Sequence, residues 1–341
     1  MRRAIPLILV AIFVLASCST PGGGDQSRSE EVFGTPCSIR IVDGGGKTAL
    51  DAAFAKLHDL DDLLSPSKAD SELSAINRAA GKDAVKVSPD TYAAIESALF
   101  YSKATDGVTD LTAGPLINLW GIGTDHARVP SKSEIKAALA LIDWHKVRLD
   151  PSTQSVKLEK AGMALDLGAF AKGWAADKVK DILAAQGVKA AIIDLGGNIF
   201  VFGSKKDGKP WKIGIQDPTK PRGDFMGIVT TDRADSVTTA GTYERFFVKD
   251  GIKYHHILDL ATGRPAQSGL QSVSVIAATS TLADGIDTAL LILGKDRGLE
   301  LVARTPGVEA VFVGDDKRIW LSAGAHKDFS LTDESDWKLS E

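Results

Sequence analysis

Four segments of the chain set ionisable or small side chains at spacings that could do chemistry. In 281–291, Leu282, Ile286, Ala289, Leu290 and the following Leu293 fall on one helical face. Asp284, Asp287 and Thr288 stand at i, i+3 and i+4 and share another. Two carboxylates and a hydroxyl on one face are hard oxygen ligands suited to Mg2+. A plainer reading is also open, because Thr281 and Asp284 have capping-box spacing. It accounts for Asp284 and leaves Asp287 and Thr288 without a role. In 165–174 an apolar run ends at Gly168 and a helix begins. Free N–H groups at a helix start favour an anion, and Lys172 adds charge in the first turn. Neither the Walker spacing nor GxGxxG is present, so a glycine turn with a solvated lysine is the alternative. Asp166 sits inside the apolar run and needs a polar partner or a ligand. In 254–265 His255 and His256 are adjacent, and neighbours on a strand point to opposite faces. Two ordinary polar positions near a strand end would read the same way. In 105–121 small and turn residues crowd together, as where backbone lies against a flat ligand or in an elaborate loop.

Positioning these residues takes a mixed set of elements. Apolar spacing predicts helices over 49–64, 72–79, 131–142, 170–186 and 282–293, with another opened by Ser88-Pro89. Strands are predicted over 32–42, 163–167, 190–195, 213–215, 226–231, 243–248, 254–258, 272–278, 308–313 and 318–321, and a hairpin over 147–158. The run from 163 to 195 reads as a βαβ unit. Helices and strands interleave without strict alternation, which gives an α+β, mixed α/β fold.

The chain has 341 residues, 44% hydrophobic and 25% charged, with a net charge of −4. This excludes disorder, a collagen-like fibre and a disulfide scaffold, and gives no footing for nucleic acid as a partner. Only Cys18 and Cys37 are present, too few for cysteine-pair zinc sites. Arg2 and Arg3 precede an apolar run over 4–16, shorter than the roughly 20 residues a membrane span needs. Residues 1–17 read as a secretory signal. Its end, Leu15-Ala16-Ser17-Cys18, resembles a bacterial lipobox, with cleavage before a lipidated Cys18. An ordinary signal with a chance cysteine is the alternative. Residues 18–30 read as a slack tether and 31–330 as the globular domain. That order places the protein in a bacterial cell envelope, lipid-anchored on the periplasmic side. Cys37 reads as a buried small hydrophobe.

Taken together, the segments resemble the ApbE family of periplasmic flavin transferases, which move FMN from FAD onto a protein threonine or serine. The matching motifs run in the family's order over about 32–313: Asp106 to Leu116 with Leu119-Trp120-Gly121, Asp166 to Gly173, Ile193 to Gly197, Trp211 to Pro218, His256 to Gly263, and Ala283 to Ala289. The resemblance implies a two-lobed body with FAD in the cleft. It implies a metal, Mg2+, between the carbonyl of Ala169 and the side chains of Asp284, Asp287 and Thr288. Asp166, Lys172, Leu258 and the stretch Val108, Thr109, Asp110 would contact FAD. Phe33 stands where the family begins Met-Gly-Thr. Ser67 falls near a position often filled by a flavin-stacking tyrosine, Thr109 replaces a usual Phe, and Ala240 a usual Ser. The implied reaction is Mg2+-dependent transfer of FMN, releasing AMP, onto an envelope protein such as a membrane redox subunit. His256 is the candidate base by its chemistry, with Asp287 its rival. Two alternatives use the same site: a Mg2+-dependent FAD pyrophosphatase giving FMN and AMP, and a non-catalytic flavin-binding lipoprotein.

Overall fold

The computed structural model describes residues 26–340 apart from Ala234. The signal segment, Cys18 and residues up to 25 lie outside the described residues. The run 32–42 is not one strand. Phe33 and Gly34 take positive φ, 55° and 64°, and fold the chain into a tight hairpin. Strand β1 (Gln26–Val32) therefore pairs antiparallel with β2 (Thr35–Gly44). The tether expected to reach residue 30 gives way to sheet at Gln26.

The main sheet continues with β3 (Val188–Leu195), β4 (Asn198–Phe202), β5 (Asp235–Gly241), β6 (Leu270–Ala277), β7 (Val308–Gly314), β8 (Arg318–Leu321) and β9 (Lys338–Leu339). Its nine strands lie side by side in chain order. Every neighbouring pair is antiparallel except β8 with β9. The predicted strand 163–167 does not form, so there is no βαβ unit there. Its backbone has one bridge, Ala113 to Ala164. Asn77 takes over the ladder's work, its amide donating to the Leu165 carbonyl (3.0 Å) and its oxygen accepting from the Leu165 N–H (2.7 Å).

The helices are α1 (Lys47–Leu64), α2 (Glu72–Arg78), α3 (Pro89–Ala104), α4 (Gly114–Trp120), α5 (Lys132–Leu139), α6 (Ala171–Ala185) and α7 (Ser280–Ala303). α1 buries the stripe its spacing predicts, from Ala49 and Leu50 to Leu60 and Leu64. α7 outruns its expected end. Gly294, at φ 77°, breaks it one residue past the predicted stop, and a second helical stretch follows.

Burial sorts these elements into layers. Phe54 of α1, Val179 of α6 and Leu290 of α7 pack with Ile193 and Val273 on one face of the main sheet. On the other face Val237 and Val311 meet Ile213, Met226 and Phe329 of a small sheet built from Trp211–Gln216, Phe225–Thr231 and Phe329–Leu331. A separate cluster of Leu116, Trp120, Ile135 and Leu258 holds α4 and α5. The chemistry-bearing residues gather where the start of α6 meets the start of α7, over β4 and β5.

Candidate active site

The start of α7 is capped without Asp284. Thr279 accepts from the Leu282 N–H (3.3 Å), and Asp177 of α6 accepts from the N–H groups of Ser280 (3.0 Å) and Thr281 (2.9 Å). The capping-box reading of Thr281 and Asp284 therefore fails. Asp284 points inward instead and is only 2% exposed. Its carboxylate accepts from the Gly173 N–H at 2.8 Å and the Asn198 amide at 2.6 Å, and Lys172 Nζ stands 3.5 Å away. Asp287, one turn on, is 3% exposed. The Thr288 hydroxyl donates to it at 3.2 Å. Burial, and then the charge of Asp284, hold the Asp287 carboxyl above the usual carboxylate range. The buried Thr238 hydroxyl on β5 faces Asp287 but makes no well-formed hydrogen bond.

These residues fit a hard divalent cation. Two buried carboxylates face one lysine, and an unpartnered hydroxyl stands beside them. The described residues hold no cluster of three or more His, Cys, Asp or Glu suited to a metal. Mg2+ does not need one, since it is ordinarily held by one or two carboxylates plus substrate phosphates. Ala169 lies in the turn just before Phe170, the N-cap of α6. The close packing depends on Gly173. A Cβ there would lie 2.2 Å from the Ser280 carbonyl oxygen and 2.4 Å from Asp284 Cβ.

Around this centre stand an acid, a lysine and a histidine. Asp166 is half-buried and accepts from the Gly168 N–H at 2.8 Å, which supplies the polar partner its position demands. Burial raises its carboxyl, opposed by that hydrogen bond and by Arg245. Lys172 Nζ also donates to the Gly168 carbonyl at 3.4 Å, so it spans from the turn to Asp284. His256 Nδ1 lies 3.2 Å from the Arg245 carbonyl. A carbonyl only accepts, so Nδ1 carries the proton and Nε2 keeps a free lone pair. Burial first, then the charge of Arg245, press His256 down to about 4, and Lys172 contributes in the same direction. The ring is therefore uncharged near neutral pH. His255 is buried instead, with Nε2 3.0 Å from the Ala266 carbonyl.

The sequence model of the ApbE family matches residues 33–312. This chain belongs to the ApbE family. It is 38% identical over 336 residues to the FAD:protein FMN transferase of Treponema pallidum (strain Nichols), covering 92% of each chain. Its fold superposes on the ApbE protein of Thermotoga maritima with a TM-score of 0.82 and 32% identity, covering 89% of this chain and 99% of that one. For the flavin transferase ApbE of Vibrio cholerae the TM-score is 0.79 at 28% identity, with the same coverage. The mixed fold of sheets and helices is the ApbE fold.

The positions carried over from the ApbE motifs fall into two groups. The structure brings Asp284, Asp287, Thr288, Lys172, Asp166 and His256 into one neighbourhood. Phe33 joins it through its turn, since Arg245 Nη2 donates to the adjoining Gly34 carbonyl at 3.3 Å. Thr109 and Asp110 offer no free side chain to a ligand. Thr109 is buried with its hydroxyl 3.1 Å from that of Thr105. Asp110 accepts from the Thr112 N–H (2.8 Å), the Thr112 hydroxyl (2.7 Å) and the Trp144 N–H (3.0 Å). Their side chains build the loop, and only its backbone and the half-buried Val108 remain for contact. Leu258 is packed into the cluster of α4 and α5. Ser67 is exposed and shares a hydrogen bond of 2.9 Å with Ser65. Sequence reasoning missed Asn198, Asp177, Thr238 and Arg245, and it had Gly173 only as the end of a motif. Asn198 carried a readable signal, a polar residue opening an apolar strand just after Gly196-Gly197.

Proposed function

We propose that this chain transfers FMN from FAD to a threonine or serine hydroxyl of an acceptor protein, with Mg2+, and releases AMP. The observation that supports it most is the buried pair Asp284 and Asp287 set against Lys172 and a neutral His256. In this reading Asp284, Asp287, Thr288 and the Ala169 carbonyl hold Mg2+. When bound, the ion supplies Lewis-acid stabilisation of charge on phosphate oxygens. Lys172 and the N-terminus of α6 hold the same phosphates by charge and by N–H donors. The acceptor oxygen bonds to the FMN phosphorus while the bond from that phosphorus to the bridging oxygen breaks. AMP leaves with the electron pair. His256 Nε2 takes the hydroxyl proton, and Asp287, engaged with the cation, is left out of proton transfer.

The exposed Ser67 favours a second reading at the same centre. A small hydroxyl where an aromatic would cover the flavin admits water, which could attack the same phosphorus and give FMN and AMP. Location is also a proposal: Cys18 carries the lipid and holds the body on the periplasmic side of the envelope, near a membrane redox subunit as acceptor. The support is the sequence of the first 18 residues. Among the described residues no helix is long and apolar enough to cross a membrane.

The test incubates the protein lacking its signal with FAD, Mg2+ and an acceptor bearing a flavinylation motif. Intact mass reads the acceptor and chromatography reads the nucleotides. An acceptor gain of one FMN with matching AMP, lost on chelation, supports the transferase. Free FMN and AMP with unmodified acceptor move the reading to the pyrophosphatase. FAD bound and intact overturns both.

A further inference from the structure

His256 is held by one residue of its own hairpin. The strands Phe246–Lys249 and Ile252–His255 pair antiparallel, with Phe246 opposite His255. Asp250 and Gly251 turn the chain between them at φ 52° and 76°, the positive values a two-residue hairpin loop requires. That turn fixes the register. Stacking of Phe247 on Tyr254, 5.2 Å between ring centres, and of Tyr254 against Trp120, 5.7 Å, pins it to α4. One step beyond the last pair, the register must set Arg245 opposite His256. The Arg245 carbonyl there accepts from both the His256 backbone N–H (3.0 Å) and its Nδ1–H (3.2 Å). The guanidinium reaches the other way, to the Gly34 carbonyl at 3.3 Å.

We propose that Arg245 is the positioning residue for His256: its carbonyl fixes the tautomer that leaves Nε2 free, and its guanidinium, moored on the Gly34 carbonyl, holds a fixed positive charge in the same site. The charges that act on the ring share one sign. Arg245 on the hairpin, His255 on the ring's own strand and Lys172 from α6 all act against the imidazolium, and burial acts with them. Arg245 also opposes the rise that burial imposes on the Asp166 carboxyl. This inference rests on His256 being the base in the reading above, but its test does not need turnover.

The experiment is a histidine NMR titration of the signal-free protein, with the ring signals of His256 assigned by their loss in His256→Asn. The wild-type ring should show a protonated Nδ1 and titrate well below the ordinary histidine range. Arg245→Gln should move the midpoint upward by about one pH unit with the same tautomer, because the carbonyl remains. Arg245→Lys should restore the low midpoint. The acid limb of the rate against pH should follow the same order. A wild-type ring protonated on Nε2 overturns the proposal without any variant. So does an unchanged midpoint in Arg245→Gln, including the case where only the KM for FAD rises and Arg245 is a substrate contact. Full turnover in His256→Asn would instead remove the base assignment and leave the titration result standing.

Discussion

Asp284 ties α7 to two other segments through one carboxylate: to α6 by the Gly173 N–H and to β4 by the Asn198 amide. Asp284→Ala would leave both donors buried without an acceptor, at a cost of about 1–3 kcal/mol each. It would also remove half of the carboxylate pair proposed to hold Mg2+. Mg2+-dependent turnover should fall at least a hundredfold, on the order expected for loss of a principal charge stabiliser. The sharper readout is thermal. A cation that binds only the folded protein raises stability by mass action, roughly 2.7 kcal/mol at a hundred times its Kd. Mg2+ should therefore raise the Tm of the wild type and not that of Asp284→Ala. An equal Mg2+ response in both would remove Asp284 from the metal site. Asn198→Ala keeps both carboxylates and should weaken the response without abolishing it.

Between elements, the site depends on how closely α6 approaches α7. With a would-be Cβ 2.2 Å from a main-chain oxygen, Gly173→Ala cannot be accommodated by turning a side chain. The helices must separate, at a cost of roughly 1–3 kcal/mol for overpacking. Since Lys172 and Gly173 both contact Asp284, Mg2+ affinity and Tm should fall together in Gly173→Ala. A normal Mg2+ response at a lowered Tm would show that the site tolerates the separation. This seam also explains what the sequence could and could not tell. The stripe of α1, the Ser88 start of α3, the helix opened at Ser131 and the hairpin at 147–158 are local patterns, and they were legible. The run 163–167 looked like a strand because it is apolar, yet the backbone of Leu165 at its centre pairs with the Asn77 side chain, which lies 88 residues away. β4 and β5 went unpredicted for a related reason. They direct Asn198, Ser236 and Thr238 inward toward α7, so the site itself erases their apolar alternation. That Asp284, Asp287 and Thr288 share one face of α7 was legible from spacing alone. Arg245 was not, because its meaning lies in a cross-strand register.

At the scale of the whole molecule, the site and the chain's C-terminal end lie on opposite faces of the main sheet. The globular body does not stop at residue 330. Trp337 is 1% exposed and packs with Trp211, Ile213 and Phe329 on the face away from α7. Its indole N–H donates to the Asp217 carboxylate at 3.1 Å. That carboxylate also accepts from the Thr219 N–H and hydroxyl, at 2.8 and 2.7 Å. Lys220 ties it to the tail, 2.6 Å from Asp333 and 3.2 Å from Asp336. Trp337→Ala would open a cavity and orphan part of this network, at roughly 3–5 kcal/mol. For a domain of this size that is a fall in Tm on the order of 10 °C. Asp284, Lys172 and His256 belong to the other face, and the sheet between them is antiparallel and continuously paired from β1 to β8. Well below its Tm, Trp337→Ala should therefore turn over FAD at the wild-type rate per folded molecule. Measuring rate and unfolding on the same sample decides it. A rate that falls at temperatures where the variant is fully folded would mean that the sheet transmits the loss to the site, and that the two faces do not act independently.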